Sequence, residues 1–297
     1  MLLNNLTVGR FFFWERFMNE RLMLENTLSE EMVMTRILVC VKQAIDVSQV
    51  KVDTATRRLI TVDAPKKISD FDKNALEEAV RLKEKLGGEV VTVTVGLEDA
   101  KTTMKEALAM GADKSYILAD PAFEGSDTLA TSYILAEAVK KLGAFDLVLC
   151  GEASVDSFSA QVGPRLADRL GLPLVTYVKK LTLEGDTVTV ERSLEDSYET
   201  VKAKTPVLLT VTKELNEPRI PNLMSIMKAA KKEVIIWKAA DLNIPKEKVG
   251  ESGSAVKTVS VLAPKVERKK TVIKGETAVE TAEKLARALI QDGVVRG

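Results

Sequence analysis

From Cys150 to Pro164 the chain reads Cys-Gly-Glu-Ala-Ser-Val-Asp-Ser-Phe-Ser-Ala-Gln-Val-Gly-Pro. A glycine, several hydroxyls, a carboxylate and an amide are thus gathered where an apolar run gives way to a helical pattern. Gly151 lets the backbone turn sharply and approach a ligand closely. Ser157 and Ser159 are N-cap candidates for a helix carrying Leu166, Ala167 and Leu170 on one face. The first turn of a helix has unpaired N–H groups and a partial positive charge, so the chemistry expected here is the holding of an anion, such as a phosphate. In a parallel α/β sheet nucleotides bind at such corners. The same corner also occurs in strand–helix units that bind nothing.

Composition narrows the chemistry further. The chain of 297 residues contains no histidine, which removes histidine general bases, triads and metal ligands. Its two cysteines, Cys40 and Cys150, each end an apolar run and read as small buried hydrophobes; neither a CxxC centre nor a metal site is expected. Lys plus Arg and Asp plus Glu number 43 each, so no net field draws the protein to nucleic acid. No apolar run approaches bilayer-spanning length, so stable membrane insertion is not expected, and nothing points to an oxidising compartment. The expected location is cytoplasmic.

The elements that must position the corner alternate. Arg36–Val41, Val90–Val95, Ser115–Leu118, Leu147–Cys150 and Leu174–Val178 read as strands. Between them Phe71–Leu86, Asp99–Met110, Thr128–Leu142 and Arg165–Leu170 read as helices, the first closed by Gly87-Gly88. This alternation predicts an α/β fold, a mostly parallel sheet with helices on both faces. A hairpin follows around Gly185-Asp186, then strand over Tyr198–Val211 broken before Pro206, a short helix near Ser225–Ala230, a polar stretch over 238–270 that reads as an extended linker or arm, and a helix over Thr277–Asp292. The expected division is an N-terminal extension, 1–33, an α/β nucleotide-binding domain, 34–215, and a loop and C-terminal arm, 216–297. The extension reads as an appended helix or a start site placed too early.

Four stretches in order resemble the beta subunit of the electron transfer flavoproteins. They are Val41-Lys42-Gln43 with Asp46; Ala75–Glu84 and Ala107–Asp113; Gly151 through Asp156 to Gln161-Val-Gly-Pro164; and Leu215-Asn-Glu-Pro-Arg219 through Lys232. The resemblance spans roughly residues 34–290. It implies a Rossmann-like fold and a heterodimer with an alpha subunit whose FAD lies at the interface, and a dehydrogenase or quinone-reducing protein as redox partner. It also implies an adenine nucleotide within this chain: AMP in the simple carriers, and in the electron-bifurcating branch a second FAD that takes a hydride from NADH. Carried onto this sequence, the nucleotide site comprises Cys40, Ser69, Phe71, Asp72, Val95, Gly151, Ser154, Asp156, Ser159, Ala160, Gln161, Val162 and Gly163. Asp156 and Gln161 are its polar contacts. No side chain is required as acid, base or nucleophile, so the chain reads as an electron carrier rather than a stand-alone enzyme.

Two positions depart from the family pattern. Ser69-Asp70 stands where Asn-Pro is usual, and Val47 replaces an aromatic found in some members. At the helix start AMP-type members tend to read Asn-Gln-Thr-Gly, whereas this chain reads Ala160-Gln-Val-Gly163, similar to the bifurcating members. Small apolar Ala160 and Val162 leave room for a diphosphate, which favours FAD; the plainer reading is that they pack the helix.

The loop Asn216–Met227 combines Pro218 and Pro221 with exposed-looking apolar residues. The resemblance makes it the redox-partner loop, with Leu223 as anchor and Met224 beside it; otherwise it reads as a cover for the sheet edge. Lys228, Lys231 and Lys232 read either as a steering patch for an acidic partner or as a solvated helix face. Glu191 and Arg192 read as a strand ion pair, or Arg192 faces the inter-subunit flavin. A Rossmann dehydrogenase is the rival class, but Cys40–Asp46 lacks the glycines such a turn needs. An adenine-nucleotide-binding regulatory module remains a second alternative.

Overall fold

The computed structural model describes residues 35–265 and 270–295; the expected extension, 1–33, lies outside the described residues. In chain order the strands are β1 Arg36–Cys40, β2 Gln43–Ile45, β3 Lys51–Val52, β4 Leu59–Ile60, β5 Lys66–Ile68, β6 Glu89–Val95, β7 Lys114–Leu118, β8 Leu147–Gly151, β9 Leu174–Glu184, β10 Thr187–Ser193, β11 Tyr198–Lys204, β12 Val207–Val211 and β13 Ile235–Trp237. The helices are α1 Asp70–Leu86, α2 Lys101–Met110, α3 Thr128–Leu142, α4 Val162–Leu170, α5 Leu223–Lys231, the short α6 Gly250–Gly253, and α7 Ala278–Gln291.

Nine strands form one sheet in the order β11-β10-β9-β12-β8-β1-β6-β7-β13. From β9 to β13 every neighbour is parallel; only the β9–β10–β11 meander is antiparallel. The sheet is therefore mostly parallel with helices on both faces, and the fold is α/β and Rossmann-like. Strands covered on both faces need apolar residues throughout, and Ile37, Leu38, Val39, Val90, Val91 and Val93 meet that need. Their alternation divides the core. Ile37 and Val39 join Leu76, Ala79 and Met104 on one side of the sheet; Leu38 and Cys40 join Ile134, Leu135 and Leu166 on the other.

The chain leaves β1 towards β6 and β7, then crosses back to place β8 on the other side of β1. The β1–β8 seam is thus the point at which strand order reverses, the place where open α/β sheets take ligands. Cys40 and Gly151 stand at those ends.

Two elements differ from expectation. β13 was absent from the predicted set: Ile235-Ile-Trp237 is three residues long and follows a basic run, too short a signal for periodicity. It completes the sheet edge, with Trp237 packed 4.7 Å from the Tyr116 ring. Residues 238–256 are not an extended linker. Leu242, Ile244 and Val249 are buried in the second core, and the Asp127 carboxylate accepts from the Ala255 and Val256 amides.

A second compact unit comprises residues 52–59 and 261–297. Within its described part, Asp53 caps a turn by accepting from the Ala55 and Thr56 amides, and Arg58 bridges to Leu262. α7 is capped by Thr277 and buries none of its own residues.

Candidate nucleotide corner

The corner is built around a buried carboxylate. α1 begins at Asp70, with Ser69 in the N-cap position, its amide donating to the Lys42 carbonyl at 3.0 Å. This delivers Asp72 under the β1–β8 seam. One carboxylate oxygen of Asp72 accepts from the Lys42 amide at 2.8 Å and the other from the Gly151 amide at 3.0 Å. The carboxylate therefore ties together the residues leaving β1 and ending β8. Burial pushes the Asp72 carboxyl up to about 7, against the lowering influence of those two amides and the Lys42 ammonium.

Gly151 is required by close approach. A Cβ there would lie 2.6 Å from both an Asp72 carboxylate oxygen and the Phe71 Cβ. Gly163 is similarly constrained: a Cβ would lie 2.6 Å from the Thr210 Cγ2, so glycine lets α4 settle onto β12.

The loop from β8 to α4 is held by Lys42. Its ammonium lies 2.6 Å from Asp156 Oδ1, 3.2 Å from Ser157 Oγ and 3.3 Å from Ser154 Oγ. Burial raises the Asp156 carboxyl, but the hydrogen bonds from Lys42 and Ser154 outweigh it and hold the group below its ordinary value. The Val155 amide donates to Ser69 Oγ at 3.3 Å, a second thread between loop and α1. Phe158 stands at φ +46 and Ala160 at φ +53, the left-handed region that side-chain-bearing residues seldom adopt. The Phe158 ring is 66% exposed and lies 5.9 Å from Phe71, tilted across it.

α4 starts at Val162, and Gln161, not Ser157 or Ser159, occupies the N-cap. Ser157 is engaged with Lys42 and Ser154, four and more residues too early to cap. Gln161 supplies no side-chain cap either; its Oε1 accepts from Thr128 Oγ1 at 3.2 Å and from the Arg165 guanidinium at 2.8 and 3.0 Å. The first-turn amides of α4 are thus left without a side-chain cap, an arrangement suited to an anion.

Of the residues expected at the site, Cys40, Ser69, Phe71, Asp72, Gly151, Ser154 and Asp156 come together around the seam. Ala160, Gln161, Val162 and Gly163 form the entry to α4, and Ser159 is an exposed loop residue. Val95 ends β6, the neighbour of β1 on the same sheet edge. Leu223 and Met224 lie elsewhere, at the start of α5. Lys42 and Phe158 had no predicted role. A lysine directly after a buried strand, and a phenylalanine amid small polar residues, are the signals that mark them.

Cys40 and Cys150 are free and buried, and lie on the adjacent strands β1 and β8. The neighbouring Cys40 thiol and burial keep the Cys150 thiol well above its ordinary value, so it is an unreactive packing group. Glu191 and Arg192 do not pair with each other: Glu191 bonds Lys179 at 2.8 Å, while Arg192 donates to Thr176 Oγ1 at 3.0 Å and stands 3.7 Å from Glu199. Lys232 is not a free steering charge, since it donates to the Ala112 carbonyl at 2.9 Å. Among the described residues no three His, Cys, Asp or Glu groups are placed to hold a metal ion, and no helix is long and apolar enough to cross a membrane.

Fold and corner together define the class: a doubly wound α/β protein with an uncapped helix start beside its strand-order reversal. The model of the electron transfer flavoprotein domain matches residues 56–242. The electron transfer flavoprotein subunit beta of Thermoanaerobacterium thermosaccharolyticum is 47% identical over 240 residues, covering 80% of this chain and 92% of the relative. The Caffeyl-CoA reductase-Etf complex subunit CarD of Acetobacterium woodii is 39% identical over 261 residues, covering 88% and 100%. Protein FixA of Azorhizobium caulinodans is 38% identical over 245 residues, covering 80% and 87%. The chain belongs to the electron transfer flavoprotein beta-subunit family.

Proposed function

We propose that this chain is the nucleotide-holding subunit of a two-subunit electron carrier, with an adenine nucleotide seated in the corner between Cys40 and Gly151. The observation that carries the reading is the coincidence of the strand-order reversal with the uncapped first turn of α4. The residues present suit a phosphorylated ligand: unclaimed amides at Val162 and Gly163, a lysine ammonium within the adjoining loop, and glycine at the point of closest backbone approach. Asp72 and Ser69 fix the shape of the seam, and Cys40, Phe71 and Val95 supply its apolar lining. Ser154, Asp156, Ser159, Ala160 and Gln161 wrap the phosphate side. The absence of a side-chain cap and the small apolar pair Ala160 and Val162 favour a diphosphate, and therefore FAD over AMP.

A bound flavin supplies the redox chemistry; the chain's own residues position it and set its electrostatic surroundings. A relative's name places it in a complex with a CoA reductase, which supports a dehydrogenase or reductase as exchange partner. Leu223 and Met224 are the docking residues in this reading, and the 261–297 segment packs on an alpha subunit that carries its own FAD. Co-expression with the alpha subunit, followed by heat denaturation and quantification of released FAD and AMP, tests the reading. Two FAD per heterodimer are expected. One FAD and one AMP would overturn the FAD assignment alone, and no nucleotide beyond a single FAD would overturn the site.

A further inference from the structure

α5 is a nine-residue helix with one buried residue, Ala229. Leu223, Met224, Ile226 and Met227 are 71%, 63%, 50% and 54% exposed. A helix this short is not self-sustaining; Ala229 seats it on the core beside α2, and that single anchor leaves its direction to be completed by other contacts. Polar contacts at its two ends complete it.

At the leading end, the Arg219 guanidinium spans two carboxylates of α1. Its Nε lies 2.8 Å from Glu77 Oε2 and its Nη2 3.2 Å from Glu77 Oε1; Nη1 and Nη2 lie 2.6 and 2.9 Å from the two oxygens of Glu84. The Arg219 amide also donates to Glu77 at 3.1 Å. Glu77 and Glu84 are seven residues apart and so share a helix face. Arg81 reaches Glu77 at 2.6 Å and the Glu217 carbonyl at 3.1 Å, and Asn74 and Asn216 exchange side-chain-to-backbone bonds of 2.6 and 3.1 Å. At the trailing end the Lys105 ammonium of α2 caps the helix, donating to the carbonyls of Ala229 at 3.1 Å, Ala230 at 2.9 Å, and Lys232.

We propose that Arg219 is a positioning residue for redox-partner docking: its fork onto Glu77 and Glu84 aims the exposed face of α5, so that docking finds Leu223 and Met224 already presented. This rests on the reading of those two residues as the docking contact. Pre-setting the segment lowers the ordering cost of association. Removal of the fork therefore acts on the apparent affinity for the partner and leaves the electron-transfer step itself untouched. Lysine cannot satisfy two carboxylates in one plane as arginine does, so Arg219→Lys is a partial defect.

The test uses the nucleotide-loaded heterodimer, titrated against a purified flavin dehydrogenase that reduces it, with a soluble dye acceptor as a docking-independent control. Arg219→Ala is expected to raise KM for the dehydrogenase about tenfold with kcat within about twofold. It is also expected to accelerate amide hydrogen exchange across residues 217–231 and leave dye reduction unchanged. Arg219→Lys and Glu84→Gln fall between it and the unmodified protein; Glu84→Gln, at the exposed arm of the fork, serves if Arg219→Ala does not fold. An unchanged KM in Arg219→Ala and Glu84→Gln, alongside a raised KM in Leu223→Ala, overturns the positioning role alone. An unchanged KM in Leu223→Ala overturns the docking reading and this proposal with it.

Discussion

The candidate nucleotide corner and the proposed docking segment are held by different means. The corner hangs from the ends of buried strands, and its one deep carboxylate, Asp72, is bonded to backbone amides from two of them. The proposed docking segment touches the core through Ala229 and is aimed by a guanidinium shared between the buried Glu77 and the exposed Glu84. The carboxylates at the centre of each, Asp72 in the one and Glu77 with Glu84 in the other, shift in opposite directions. Burial raises Asp72 to about 7. Burial also raises Glu77, but bonds from Arg219 and Arg81 outweigh it and leave Glu77 below its ordinary value, and the Arg219 bond holds Glu84 down as well. A buried carboxylate held by backbone amides is thus favoured by protonation, whereas one clamped by arginine is weakened by it.

The largest effect expected to break this contrast is at Gly151. With 2.6 Å to Asp72 and Phe71, Gly151→Ala should destabilise the fold by about 2 kcal/mol and empty the corner, measured by chemical denaturation and nucleotide release. Leu223→Ala should leave both stability and flavin content unchanged while slowing transfer at sub-saturating partner about tenfold, as anchor residues do at interfaces. If Leu223→Ala lowered flavin content instead, the two regions would not be separable.

pH sharpens the comparison. Asp72, raised in the folded state, binds its proton there at pH values where the unfolded chain has lost it. Its contribution to stability therefore falls as pH climbs from about 4 to about 7 and is level above that. Asp72→Asn should flatten this slope in denaturation midpoints taken across the range; an unaltered slope would remove Asp72 as its source. Glu77 and Glu84, being lowered, stabilise at and above the ordinary carboxylate range and lose that contribution only as acid takes pH below it. Exchange across 217–231 should therefore quicken, after correction for intrinsic rates, only at the acid end. The smallest effects are at the loop: Asp156→Ala and Gln161→Ala should weaken nucleotide retention several-fold with the fold intact, consistent with single charge-assisted contacts.

Much of this was legible in the sequence because parallel strands advertise themselves. Ile37–Val39 and Val90–Val93 are apolar on both faces, and α1 carries Ala75, Leu76, Ala79 and Val80 at helical spacing. Gly151 and the Gln-Val-Gly-Pro run mark the turn from β8 into α4 in the sequence itself. What was not legible depended on contacts between distant segments. Lys42 finds Asp156 more than a hundred residues away, and Asp72 is interpretable only once β1 and β8 are neighbours. The start of α4 was misplaced because serines favour caps in general, while here Lys42 and Ser154 claim Ser157. β13 escaped because three residues carry no period, and Arg219 because its two carboxylates lie 135 and 142 positions back.

The crossover that bears α5 leaves β12 on one side of the nucleotide corner and lands in β13 at the far rim of the sheet. That last ribbon is joined to β7 along three residues and has no strand on its other side. On the proposed docking reading, a load on α5 therefore reaches the sheet at a strand paired on one side only, whereas β1 and β8, which carry the candidate corner, are each paired on both.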